Sequence, residues 1–208
     1  MSNRTPADVA AHLRAVQQAQ PEHRFSRFNP PITNRHPAKT MELAELWDEI
    51  TSERHRAQTE RIRAATDKDV RKALKAQLPY VTPAGIFNYP RRDTDLVTSS
   101  GMLVLDFDHV PSVPVASAVL LADEEVGPHV MLAFKSPSGD GVKAIMRTDP
   151  DLDHRANFRL YADYLNATYA CMGLIVDKSG INESRPCYIP YDPTAYLHPS
   201  YTSAWITQ

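Results

Sequence analysis

Apolar residues fall at helical spacing over the first part of the chain and in strand-like runs after Leu78. Residues 6–20 put Val9, Leu13 and Val16 on one face behind Thr5-Pro6. Proline suits the first turn of the helix that this spacing predicts. Residues 21–37 hold four prolines and little periodicity, which predicts an extended connector. Residues 40–77 are helical in composition. Met41, Leu43, Leu46, Trp47 and Ile50 form a stripe, and Asp67 and Asp69 open a further helix containing Val70, Ala73 and Leu74. The charged residues 53–63 between them read as a solvated helix face, with nucleic-acid contact by the basic ones as the alternative.

Pro79 and Pro83 stop helices. Short strands are then predicted over residues 86–89, 174–176 and 186–190. A central, buried strand spans residues 101–108, and Pro114 opens a helix over 114–123. Residues 129–135 and 141–147 form a hairpin around Ser136-Pro137-Ser138-Gly139-Asp140. A long amphipathic helix covers residues 152–172, with Phe158, Tyr161, Leu165, Tyr169 and Met172 on its apolar face. The order β-α-β-β-α-β is the split, ferredoxin-like pattern of an α+β fold. The chain thus divides into a helix and Pro-rich connector (1–38), a helical annex (39–78) and the α+β unit (79–208).

Length and charge narrow the picture only a little. A chain of 208 residues suffices for one sizeable core with an annex. A formal net charge of −2 excludes a global basic field, so nucleic acid would have to meet a local patch. Two cysteines, Cys171 and Cys187, fit a reducing compartment and are too few for a structural zinc site. With no apolar signal core and no run near the ~18 apolar residues of a membrane span, the expected location is the cytoplasm and no membrane partner is expected.

The chemistry concentrates where apolar runs end. In Val104-Leu105-Asp106-Phe107-Asp108, side chains alternate, so Asp106 and Asp108 point one way and Phe107 into the core. Two adjacent carboxylates repel unless a cation is shared, and oxygen ligands suit Mg²⁺ or Mn²⁺. A surface turn flanked by acids is the plainer alternative. The loop from Ser136 to Lys143 offers hydroxyls, glycine backbone and a cation, as a phosphate nest would. Any hairpin turn shares that composition, and Lys143 alone reads equally as a solvated strand residue. Asp177 follows the apolar run 173–176, where a helix cap or turn former is the alternative to a third ligand.

Three segments in this order resemble a known family. Leu105-Asp106-Phe107-Asp108, then Ser136-Pro137-Ser138-Gly139-Asp140-Gly141-Val142-Lys143, then the run from Val176-Asp177 through Ser184-Arg185-Pro186 to Asp192-Pro193 look like the VirE N-terminal domain. Leu78-Pro79 and Thr82-Pro83-Ala84-Gly85-Ile86-Phe87 fit its pattern upstream. That domain is placed in the archaeo-eukaryotic primase, or primase-polymerase, superfamily. The resemblance covers roughly residues 40–200. It implies an RRM-like palm with an N-terminal helical extension and a nucleotidyltransferase of DNA replication that uses Mg²⁺ or Mn²⁺. A DNA template and nucleoside triphosphates are its implied partners, with a helicase subunit or domain beside it.

The same resemblance implies residue roles. Asp106, Asp108 and Asp177 would be the metal-binding, catalytic acids. Ser136, Ser138, Gly139 and Lys143 would meet the triphosphate, and Arg185 would lie near the nucleotide. Many primases carry Ser-x-His in the second motif; here Gly139 follows Ser138, and Lys143 would supply the positive charge. Arg91, Arg92 and the basic residues between 53 and 75 are candidates for template phosphates. Two alternatives remain. Asp106-Phe107-Asp108-His109-Val110 also fits the phosphatase motif of the haloacid dehalogenase superfamily, whose first Asp is a nucleophile. That family places the strand early in a doubly wound sheet, whereas Asp106 comes midway along the chain. The other is a degenerate palm that only binds nucleic acid.

Overall fold

Two four-stranded antiparallel sheets organise the chain, whose computed structural model describes residues 23–202. The helix expected over residues 6–20 lies outside the described residues. The first sheet is built from β1 (Arg24–Phe28), β2 (Pro37–Glu42), β3 (Tyr80–Thr82) and β9 (Cys187–Tyr188), in the order β2-β1-β3-β9. The second uses β6 (Met102–Phe107), β7 (Val130–Lys135), β8 (Val142–Arg147) and β10 (Tyr196–Leu197), in the order β10-β7-β8-β6. β4 (Gly85–Phe87) and β5 (Leu96–Ser99) make a separate hairpin. Five helices of eight residues or more complete the described chain: α1 (Leu43–Thr51), α2 (Arg56–Ala64), α3 (Lys68–Lys75), α4 (Val113–Ala122) and α5 (His154–Tyr169). The fold is mixed α+β.

The second sheet is covered on both faces. Leu103, Leu105 and Phe107 of β6 pack with Ala116 and Leu120 of α4 and with Phe158, Tyr161 and Leu165 of α5. The alternate residues Met102 and Val104, with Ile145 of β8, pack against Phe25, Met41, Leu46, Ile50 and Val81. This second cluster draws on chain from both sides of residue 78. α5 starts at Asp153, whose carboxylate accepts from the Ala156 N–H, as an N-cap does. Among the described residues no helix is long and apolar enough to cross a membrane.

Several sequence expectations need correction. The connector contains β1, an interior strand. Its alternation is hidden because a bulge between Arg27 and Phe28 sets the buried residues Phe25 and Phe28 three apart instead of two. Met41 belongs to β2, so the helical region opens at Leu43. Residues 101–108 are not central: β6 ends the ladder, and the extended segment after Gly173 runs beside it without forming a strand. Met172 lies in a 3₁₀ turn and is exposed, off the apolar face expected of it. The strand near residue 187 pairs with β3 of the first sheet, and not with the second.

One ion-pair network ties β1 to α1. Glu49, 3% exposed, accepts two bonds from the Arg27 guanidinium (2.8 and 3.1 Å) and one contact from His55 Nε2 (2.8 Å). Burial alone would raise its pKa, but the His55 and Arg27 contacts outweigh it and hold the carboxyl at about 2. A pKa lowered in the folded state contributes stability above the ordinary value of 4.5, and that stability is lost as pH falls towards 2. Urea unfolding at pH 6 and pH 3 should therefore lose about 2 kcal/mol more in the wild type than in Glu49→Gln. Equal losses would remove Glu49 as an acid-labile tie.

Candidate metal centre

β6 ends in a carboxylate facing the first sheet, because Asp106 shares its side of the strand with Met102 and Val104. Lys143 stands opposite on β8, in register with Asp106. Both are buried, and the Lys143 ammonium donates to Asp106 Oδ2. Burial disfavours the charged lysine, yet the Asp106 charge prevails and raises its pKa. Asp106 Oδ1 is buried and has no hydrogen-bond partner.

The other acids come from two turns. Asp108 lies just past β6, exposed, and His109 after it has a left-handed backbone (φ 54°) that swings the chain away. Asp177 follows the extended segment beside β6, and its backbone N–H donates to the Asp106 carbonyl at 2.8 Å. That bond brings the third carboxylate in. One oxygen from each of Asp106, Asp108 and Asp177 lies within 4.8 Å of the others. Burial and the Asp106 charge push the Asp108 pKa up, with Asp177 adding to the effect. Burial also acts to raise Asp177, but the Ser179 hydroxyl and N–H, Arg185 and Lys143 bring it down overall. Arg185 Nη2 stands 3.6 Å from Asp177. Three converging carboxylates with a buried, unpartnered oxygen are a donor set that fits a hard divalent cation.

The phosphate loop differs from expectation. The Ser136 N–H bonds Gly141 O, and the Gly139 N–H bonds Ser136 O, so both donors are spent inside the loop. Ser136 Oγ is buried without a partner, and Ser138 Oγ accepts from Lys75 Nζ at 2.8 Å. Lys143 lies on Asp106 and not over the loop. Gly141 is needed for close approach: a Cβ there would stand 2.5 Å from Phe107 O and 3.3 Å from Ser136 Oγ. Gly141→Ala should cost about 1–3 kcal/mol in denaturant unfolding, as overpacked sites do, and weaken Mn²⁺ binding by shifting the end of β6. Wild-type values for both would overturn this contact.

Two basic clefts flank the acids. One, of about 410 Å³, runs from Asp108 and Ser138 to the lysines of α3. The other, of about 560 Å³, gathers Arg35, Arg91, Arg92 and Arg185 beside Ser179. Arg91, expected to be free for template phosphates, is instead packed. Its guanidinium lies 4.9 Å from the Tyr80 ring centre and donates to Ser184 O at 2.8 Å. Arg92 is exposed and paired with Asp95. Arg35 and Ser179 carried no sequence signal; the 68, 72, 75 spacing of the α3 lysines did.

No curated protein and no solved structure matches the chain. A family model does: that of the BT4734-like N-terminal domain matches residues 73–197, which hold all three carboxylates and the loop between β7 and β8. With more than half of its length matched, the chain belongs to the BT4734-like N-terminal domain family.

Proposed function

We propose that this protein is a metal-dependent nucleotidyltransferase of the primase-polymerase kind, extending nucleic acid on a DNA template. The observation that carries the reading is the convergence of Asp106, Asp108 and Asp177, with one Asp106 oxygen buried and unpartnered. The element order supports an RRM-like palm: β6-α4-β7-β8-α5 is followed by an extended segment on the free edge of β6, with β8 between β6 and β7. The antiparallel pairing of β6 with β8 speaks against the phosphatase alternative, whose doubly wound sheet is parallel there.

In this reading the three carboxylates hold Mg²⁺ or Mn²⁺. When bound, the metal supplies charge stabilisation for an attacking 3′-oxygen and the α-phosphate it meets. Lys143 pairs with Asp106 and fixes its rotamer. Ser179 and Arg185 orient Asp177 in the same way. The exposed arginines of the second cleft, Arg35 and Arg92, meet template phosphates, and their contribution falls with salt. The protein then works in the cytoplasm beside a helicase subunit or domain.

The test is synthesis on a single-stranded DNA template with nucleoside triphosphates and Mn²⁺ or Mg²⁺, read as new labelled oligonucleotide. Metal-dependent product that disappears in Asp106→Asn and Asp108→Asn is expected. No product with any template, or product unaffected by those changes, rejects the reading.

A further inference from the structure

Helix α3 buries none of its residues, so packing of an apolar stripe does not explain it. Polar contacts position it instead. The Asp67 carboxylate caps it through the Asp69 and Val70 N–H groups, and Gln58 Nε2 donates to Leu74 O. The Arg71 guanidinium is committed to Ala65 O. What remains is a cationic face. Lys68, Lys72 and Lys75 lie at i, i+4 and i+7, on one side of the helix. All three line the cleft of about 410 Å³ that ends at Asp108. Lys68 and Lys72 are exposed, and neither has an ion-pair partner among the described residues. Lys75 reaches across to Ser138 at 2.8 Å, tying the lysine face to the loop between β7 and β8.

We propose that the lysine face of α3 seats the polyphosphate tail of a nucleoside triphosphate whose metal-bound end lies at Asp108. The inference rests on the nucleotidyl-transfer reading and changes where the nucleotide sits. The cation expected over the loop, Lys143, is buried on Asp106, and the Gly139 N–H is spent within the loop. The lysines of α3 supply the missing charge from outside the sheet. The cleft has the size of a small-molecule site, roughly 300–1,000 Å³. A triphosphate carries about four negative charges at neutral pH, and three ammonium groups offset most of them, while Asp140 in the same cleft is paired with His109. The cleft ends at Asp108, where the metal-bound end of a triphosphate would lie, which favours a polyphosphate over a passing strand.

The experiment measures binding of inorganic tripolyphosphate and of single-stranded DNA to the full chain by calorimetry, at fixed ionic strength with Mg²⁺. Lys68→Ala/Lys72→Ala keeps the helix, because alanine is the strongest helix former and neither side chain has a structural contact. Its tripolyphosphate Kd should rise by roughly tenfold or more, since charge-assisted contacts to phosphate are strong ones. Lys39→Ala, a surface lysine paired with Glu45, controls for lost charge and should bind as the wild type does. Three results overturn the seat: no tripolyphosphate binding by the wild type, equal affinity in the double variant, or loss confined to DNA. Tripolyphosphate binding that depends on the two lysines, in a protein that makes no oligonucleotide, upholds the seat and rejects nucleotidyl transfer. Carboxylate-dependent synthesis that ignores the two lysines does the reverse.

Discussion

On the nucleotidyl-transfer reading proposed above, Asp108→Asn should abolish templated synthesis while leaving the metal-free protein at least as stable as the wild type. Asp108 has no hydrogen bond or ion pair among the described residues, and it is exposed at the end of β6. Its carboxylate sits within 4.8 Å of two others, so in EDTA burial and repulsion outweigh the pull of Lys143 and Lys75 on it. Removing one charge relieves that repulsion. With metal the balance should reverse, because the lost oxygen is one of the three proposed ligands. A loss of about a thousandfold in rate corresponds to about 4 kcal/mol of transition-state stabilisation. Asp106→Asn should lose as much activity but also stability, because Lys143 then lies buried without its anion. Primer-extension rates and thermal unfolding in EDTA separate the two variants. An Asp108→Asn protein that melts well below the wild type in EDTA would mean that the carboxylate is structural.

Lys143→Met carries the second large effect, on stability more than on nucleotide affinity. A buried ion pair broken on one side costs about 3–5 kcal/mol, since the remaining charge stays desolvated. For a chain of this size that lowers the unfolding midpoint in EDTA by roughly 10 °C. Mn²⁺ should recover part of the difference, because a bound cation replaces the lost counter-charge on Asp106. The measurement is calorimetry with and without metal. A phosphate-binding lysine would behave in the opposite way, with an unchanged melting point and a raised KM for nucleotide. That outcome would return Lys143 to the role its position in the loop motif implied.

The acids were legible in the sequence and the roles of the cations were not, for a physical reason. Strand alternation fixes the side on which a residue lies, so Asp106 and Asp108 with Phe107 between them could be read from period alone. Residues 174–176 show the limit of that signal. Leu174 and Val176 are buried and Ile175 is exposed, as in a strand, yet no ladder forms. Alternation reports burial and not pairing. Lys143 obeys the same rule, but its meaning depends on register with β6, which one strand alone cannot give. The spacing of the α3 lysines puts them on one face, but a helical face does not say what it faces. β1 was hidden twice, by prolines nearby and by its own bulge.

The place of β1 in the first sheet has a consequence for how the chain reaches its native state. Its inner neighbour β3 pairs Ser26 with Thr82, and β3 in turn pairs Val81 with Cys187. These are distant partners along the chain, and loop closure must precede the reward of pairing. During synthesis β1 and β2 can zip at once, but their sheet stays open until the segment around Cys187 has emerged. Asp177 arrives only shortly before it. The three carboxylates and the arginine cleft therefore assemble only after residues 177–187 have emerged, and the proposed divalent-cation site forms no earlier.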